Sequence, residues 1–500
     1  MEKRQPIRIR ESVAALAKPV ECRPRMDAFA PLDATAQADL VRRKEVKPLE
    51  LVDAAIARIE RLNPQLNAVV DRWFDEAREL ARGPLPPGPF TGVPFLLKDL
   101  ISAYAGKKFT SGSRFFANMV VPHDSELTQR YKRAGLVILG KTNLPEFGIL
   151  CTTEPKLFGP TRNPWNLGYT TGGSSGGAAA AVASGMVPMA HGGDGGGSIR
   201  IPASCCGVFG LKPSRGRLPM GPDIGDIMHG LVTEHALTRS VRDSAALLDA
   251  TDGADVGAPY SAPPKARPYT QEVATAPDKL RIAFSTRTNT GVPVHPECLQ
   301  AVDSAVKLLT ELGHTVMEDS LEVPDEEMLA QTFMTIWSSG AVVAIEKLAP
   351  LLGREATPEL FEPLTWALYD MGRQNTAASY LIAYDTMQRY ARAFAQKFVE
   401  VDAWLLPTLA EPPVPLGTFD APPDEPMMSL FRAAAFTPFC PLANITGNPA
   451  MSVPLHWSAG GLPVGVQLIG RFGDEATLFR LAGQLESARP WAHRRPPLFG

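Results

Sequence analysis

The chain has 500 residues, 45% of them hydrophobic, enough to bury a large core. Its 50 lysines and arginines against 53 acidic residues leave a net charge of −3, which gives no support to a nucleic-acid or membrane-surface partner. The six cysteines (22, 151, 205, 206, 298 and 440) hold no C-x-x-C pair, which argues against a disulfide framework or thiol metal site and for small buried hydrophobes.

The N-terminus, MEKRQPIRIRES, is charged and has no apolar h-region. No run of about 18 apolar residues suggests a membrane span, so a soluble cytoplasmic enzyme is expected. Residues 1 to about 30 lack periodicity and read as a segment wrapping the surface. From Ala34 to Val70, apolar residues at three- and four-residue steps predict helices. Pro48 fits the first turn of the second helix, and Asn63-Pro64 fits its stop. After the proline-rich loop 82–89, Val93 to Asp99 (VPFLLKD) reads as a short apolar strand ending in a charged pair. A helix at Ser125–Ala134, a strand at Leu136–Gly140, a helix after Gly176 and a strand at Val187–Ala190 follow. This alternation predicts α/β layers around a largely buried sheet.

Between about 255 and 435 the pattern changes to amphipathic helices around Leu299–Leu312, Met328–Leu348 and Ser379–Val399. Strand–helix alternation returns in MSVPL, VGVQLIG and the helix Glu475–Ala488. One domain over 1–500 is expected, with 255–435 as an insertion that shapes the substrate site.

Two motif matches fail on mechanism. Gly135 to Thr142 fits G-x-x-x-x-G-K-[ST], but its middle residues Leu-Val-Ile-Leu read as a strand and not as a phosphate loop. Gly172 to Gly176 fits the nucleophile elbow G-x-S-x-G, which would need a downstream acid and histidine, His456 being the best placed. The preceding Asn163–Gly168 reads as a loop and not as the strand an elbow needs.

The richer signal is the run GGSSGGAAAAVASGMVPMAHGGDGGGSIR from Gly172 to Arg200, with glycine-wrapped serines at 174 and 198. Glycine removes bulk around the hydroxyl and frees backbone N–H groups for an oxyanion hole. A serine nucleophile without histidine needs another base. A lysine serves only when neutral, and burial lowers its pKa from about 10.4 by several units. Lys98, ending an apolar run, is the candidate; a surface lysine paired with Asp99 is the alternative.

Lys98, Ser174 and Ser198 together resemble the Ser–cisSer–Lys triad of the amidase signature family. The similarity extends through DGGGSIRIP (194–202), CGVFGLKP (206–213), GKTNLPEF (140–147), NITGNPA (444–450) and GLPVGVQ (461–467). It implies a large mixed central β-sheet covered by helices on both faces, with a helical elaboration. It also implies that Ser198 is the nucleophile, that Ser174, on a cis peptide, relays the proton, and that Lys98 is the base. The N–H groups of Gly195, Gly196, Gly197 and Ser198 are the implied oxyanion hole, with Asp194 and Arg200 holding the loop and Ser175 as a supporting donor. Thr171 and Asn143 are weaker candidates. Position 195 is glycine where many members carry threonine or isoleucine.

The implied reaction is acyl transfer from an amide to water, without metal or cofactor. His191 to Pro213 looks especially like the branch that contains 6-aminohexanoate cyclic-dimer hydrolases. Aromatic and methionine residues in the variable segment, with Phe333, Met334, Trp337, Phe436 and Phe439 as pocket candidates, favour an apolar or amphiphilic acyl chain. Nylon-type oligomers, aryl amides, esters and carbamates (a urethanase activity) are the expected classes. The expected partner is a small-molecule amide, with a homodimer left open. A glutamine-hydrolysing subunit of a tRNA-dependent amidotransferase and a histidine-dependent esterase remain the alternatives.

Overall fold

A computed structural model describes residues 27–288, 291–321 and 326–500. Most of the expected N-terminal wrapping segment, and Cys22, lie outside the described residues. Thirteen strands lie among the described residues: β1 (Val69–Arg72), β2 (Pro94–Lys98), β3 (Val137–Thr142), β4 (Arg162–Asn163), β5 (Asn166–Thr170), β6 (Met189–Asp194), β7 (Phe209–Lys212), β8 (Thr233–Thr238), β9 (Arg281–Phe284), β10 (Thr315–Glu318), β11 (Ala403–Pro407), β12 (Ala450–Trp457) and β13 (Pro463–Gly470).

Eight of them form one mixed sheet in the order β10-β9-β11-β13-β12-β7-β8-β6. Its β10-β9-β11 edge is parallel and the rest antiparallel. A three-stranded sheet, β1-β3-β2, packs β2 beside β6, and β4 and β5 form a separate ribbon. Every residue of β2, β3, β6, β7, β8, β11 and β13 is buried. Apolar runs without alternation are the signature of strands covered on both faces.

The second N-terminal helix runs Pro48–Leu66, past the predicted stop. Pro64 costs one helical hydrogen bond near the end, where it is tolerated, and Asn67 ends the helix in the left-handed conformation (φ 50°). Asn63 accepts from the N–H groups of Ala68 and Val69 and donates to the Val69 carbonyl, so its side chain shapes the turn into β1. Val69 and Val70, read as helical, are therefore strand. The helix Gly176–Ala183 is buried on all sides. A Cβ at Gly177 would lie 2.5 Å from the Asn143 nitrogen, so glycine is what lets this helix approach its neighbour.

Three further expectations are corrected. Residues 163–168, read as a loop, belong to the β4–β5 ribbon. The strand expected at Val187–Ala190 runs Met189–Asp194, because His191, Gly192 and Gly193 pair with Ala236, His235 and Glu234 of β8. The segment 255–435 supplies β9, β10 and β11 to the main sheet, so only part of it covers the sheet from outside.

That cover consists of helices Glu326–Leu352, Pro363–Arg373, Ala377–Lys397 and Met427–Phe436. The first is long and apolar enough, over Met328–Leu352, to cross a membrane by length and composition, which amends the reading that no such segment exists. It contains Glu346 and Lys347, and it buries Ile336, Trp337, Ala341 and Ile345 against its neighbours.

Candidate active site

Lys98 ends β2 with its side chain 1% exposed, and its Nζ donates to Ser174 Oγ at 2.7 Å and to the Gly193 carbonyl at 3.3 Å. The surface pairing with Asp99 does not form. Asp99 turns instead to Lys141 Nζ at 2.9 Å and to Thr110. Lys141 lies in β3 and its ammonium is held by Asp99, so the G-x-x-x-x-G-K-T match forms no phosphate loop.

Burial lowers the pKa of Lys98 to about 7, although the charges of Asp194 and Glu234 pull the other way. Lys212 is also brought to about 7, by burial and then by Arg200, but its Nζ donates to the Pro213 carbonyl at 2.7 Å. Geometry separates the two lysines: Lys98 alone of them meets a serine hydroxyl.

Ser174 follows a cis peptide bond after Gly173. A Cβ at Gly148 would stand 3.1 Å from Ser174 Oγ, so this glycine (φ 70°) makes the room the hydroxyl occupies. Exposure rises from 1% at Lys98 through 2% at Ser174 to 8% at Ser198, a gradation from interior toward solvent. Ser198 Oγ makes no hydrogen bond among the described residues. The Ser198 carbonyl accepts from the Ser175 N–H at 3.2 Å, and Ser175 Oγ donates to the Gly193 carbonyl at 3.2 Å. Ser175 thus ties the Ser198 segment to the strand that contacts Lys98.

The loop between β6 and the helix Arg200–Cys206 is shaped by Asp194. One carboxylate oxygen accepts from the Gly197 N–H at 2.8 Å, and the other from the Ile199 N–H at 3.1 Å. The Gly197 N–H is thereby engaged inside the loop, which corrects its assignment to the oxyanion hole. The N–H groups of Gly195, Gly196 and Ser198 make no hydrogen bond among the described residues. Arg200 donates to Asp194, to the Cys440 carbonyl, to Gln467 Oε1 and to Asn444 Oδ1. Burial pushes Asp194 up, but Arg200, Lys212 and Asn444 outweigh it and hold the carboxyl well below its usual range. Asn444 and Gln467 lie in sequence motifs already noted, but nothing in one sequence shows that they meet Arg200.

Among the pocket candidates, Phe333 and Trp337 stack with ring centroids 5.1 Å apart. A Cβ at Gly195 would sit 3.3 Å from Trp337 Cζ3, and one at Gly196 would sit 3.7 Å from Phe333 Cζ. Glycine at 195 therefore leaves the space that the indole fills. Met334 packs beside them. Phe436 is fully buried with Ile201, Cys205 and Cys440, and Phe439 lies in a neighbouring cluster with Ala443 and Ile445. Thr171 Oγ1 bonds to the Gly172 carbonyl, and Asn143 bonds to Gly159 and Thr161, so both serve the local backbone.

His456 sits at an irregularity of β12 and makes no hydrogen bond to a serine or carboxylate among the described residues. Cys151, Cys205, Cys206, Cys298 and Cys440 are buried free thiols. Among the described residues no three His, Cys, Asp or Glu side chains are grouped to hold a metal ion. Sequence reading passed over His191 and Glu234, which stand directly behind Lys98.

The amidase family model matches residues 50–479. The chain is 39% identical to a 6-aminohexanoate-cyclic-dimer hydrolase of Pseudomonas sp. strain NK87, over 93% of this chain and 96% of that protein. A solved structure of 6-aminohexanoate cyclic dimer hydrolase with substrate superposes with a TM-score of 0.91 at 39% identity, covering 94% of this chain and 100% of the other. A bacterial aryl acylamidase superposes with a TM-score of 0.83 at 30% identity, covering 92% and 97%. The chain belongs to the amidase signature family, and its chemistry is the hydrolysis of amide carbon–nitrogen bonds.

Proposed function

We propose that hydrolysis runs through Ser198 as nucleophile, Ser174 as proton relay and Lys98 as base. Neutral Lys98 Nζ takes the Ser174 proton as Ser174 takes that of Ser198. Ser198 Oγ then bonds to the amide carbon, and the carbonyl electron pair moves onto oxygen. The N–H groups of Gly195, Gly196 and Ser198 receive that oxyanion. Collapse breaks the C–N bond, and the amine leaves with the proton returned from Lys98 through Ser174. Water repeats the sequence on the acyl-enzyme and releases the carboxylate.

The observation that carries this reading is the buried Lys98 Nζ at 2.7 Å from Ser174 Oγ, with a pKa near neutrality. An ammonium with the ordinary affinity for its proton could not act as base at pH 7.

The preferred substrates are apolar or amphiphilic amides, of the nylon-oligomer or aryl-amide kind, with esters and carbamates as secondary substrates. Support comes from the Phe333–Trp337 stack against Gly195 and Gly196, and from the names of the two similar hydrolases. A glutamine-specific site would call for a charged or amide-binding group at that wall, where two aromatic rings stand instead.

The test is turnover of p-nitroanilides and p-nitrophenyl esters of graded acyl length, with glutamine as control, by wild type, Ser198→Ala, Lys98→Ala and His456→Ala. Apolar anilides should turn over, glutamine should not, and only His456→Ala should stay active. Activity in Ser198→Ala that is lost in His456→Ala would overturn the mechanism, and preference for glutamine would overturn the substrate class.

A further inference from the structure

Behind Lys98 lies a buried group that the reaction as proposed does not use. The Lys98 backbone N–H donates to His191 Nδ1 at 3.1 Å. A backbone N–H can only donate, so Nδ1 must accept and the ring proton must sit on Nε2. That proton is donated to Ser102 Oγ at 3.4 Å, and Ser102 Oγ in turn donates to Glu234 Oε1 at 3.2 Å, with Nε2 itself 2.9 Å from the same carboxylate oxygen. His191 and Glu234 are 0% and 2% exposed at their side chains.

Sheet register explains how they meet. In the β6–β8 ladder His191 stands opposite Ala236 and Gly193 opposite Glu234, so His191 and Glu234 are diagonal neighbours on one face. Gly193 has no side chain to intervene, and a Cβ there would lie 4.0 Å from Glu234 Cγ. The Gly193 carbonyl accepts from Lys98 Nζ. One register thus places the acceptor of the lysine's side chain, the acceptor of its backbone and a buried carboxylate.

We infer that His191 and Glu234 are positioning residues for the base: His191 Nδ1 fixes the Lys98 backbone against β6, and Glu234, reached from the His191 ring through Ser102, places a carboxylate beside Gly193, whose carbonyl Lys98 Nζ contacts. This rests on Lys98 being the base of the reaction proposed above. The other charged or titratable groups packed around Lys98 are already paired. Asp194 is held by Arg200, and Asp99 by Lys141. Tyr131 lies against the His191 ring at 5.9 Å, and Lys212 is turned to the Pro213 carbonyl. Arg58, from the helix Pro48–Leu66, donates to the carbonyls of Gly185 and Met186, and the helix Gly176–Ala183 carries no charged residue. Among the described residues Glu234 is in no ion pair with a lysine or arginine, whereas Asp99 and Asp194 each are.

The experiment is the pH profile of kcat/KM for an anilide, in wild type, Glu234→Gln, Glu234→Asp, His191→Asn, His191→Gln and Lys98→Ala. Removing the carboxylate destabilises the lysine ammonium, so Glu234→Gln should move the acid limb down by about one pH unit, and Glu234→Asp should leave it near wild type. Asparagine keeps an acceptor near the position of Nδ1, whereas glutamine reaches toward Ser102 but loses that acceptor. His191→Asn should therefore keep most of kcat, and His191→Gln should lose about tenfold or more with KM little changed.

Identical acid limbs in folded Glu234→Gln and wild type, with Lys98→Ala inactive, would overturn this inference alone. An active Lys98→Ala would overturn the base assignment beneath it. Should Glu234→Gln not fold, equal kcat for His191→Asn and His191→Gln would still overturn the positioning role.

Discussion

The floor of the site and the helices over it are built in opposite ways. In the floor, strands β2, β3, β6 and β7 are buried throughout, and the loops are fixed by side chains that bond to backbone: Asp194 to Gly197 and Ile199, Ser175 to Gly193, His191 to Lys98. The cover from 326 to 436 leaves Val343, Leu351, Leu381, Ile382 and Phe431 more than half exposed, and it approaches the floor through Phe333 and Trp337. Reacting atoms need placement within fractions of an ångström, which suits a layer with few ways to move. Choice of acyl chain needs only shape, and a helical cover can change shape without disturbing the floor. On the mechanism proposed above, the reaction belongs to the floor and substrate preference to the cover.

Substitutions should break this contrast unequally. The largest effects belong to the floor: Ser198→Ala and Lys98→Ala should each lower kcat/KM on the order of 10⁴-fold or more. The double variant should lose little beyond either single one, because the residues act as a unit.

Next comes Asp194→Asn, which strands the Arg200 guanidinium in the interior and should cost about 3–5 kcal/mol of stability by denaturant titration. Loss of less than about 1 kcal/mol would show the pair to be dispensable.

The acid side of the pH profile sharpens the same point. On the proposed mechanism Lys98 acts when neutral, and burial brings its pKa to about 7, so kcat/KM should be level above that value and fall about tenfold per unit below it. A plateau reaching down to pH 5 would deny Lys98 the role of base.

Smaller effects belong to the cover. Trp337→Ala should shift the ratio of kcat/KM between long and short acyl anilides by about 10- to 200-fold and leave the shortest substrate nearly unaffected. Phe431→Ser, at 70% exposure, should change stability by less than about 0.5 kcal/mol and leave both activities alone.

The same division marks what the sequence disclosed. Lys98, Ser174 and Ser198 could be picked out as candidates because a charge ending an apolar run and serines among glycines are local signals, and their roles came from the resemblance to the family's triad. The short strands β9 and β10 were not, since RIAF and TVME are four residues each and lie among prolines and helices. β6 was cut short because its last residues are His-Gly-Gly-Asp, a composition that reads as loop until β8 pairs with it. Asp194 and Arg200 were legible as neighbours, but the clamp on Arg200 by Asn444 and Gln467 joins distant segments. His191 and Glu234 meet through strand register alone, and the Gly197 N–H was credited to the oxyanion hole because sequence does not show which way an amide points.

The most direct test of the lysine-based site is covalent labelling with a fluorophosphonate ester, followed by peptide mass mapping, across wild type, Ser198→Ala, Lys98→Ala and His456→Ala. The adduct should fall on Ser198 in wild type and His456→Ala, be absent in Ser198→Ala, and form at least about 100-fold more slowly in Lys98→Ala. An adduct that forms normally without Lys98 but disappears with His456 would contradict the account.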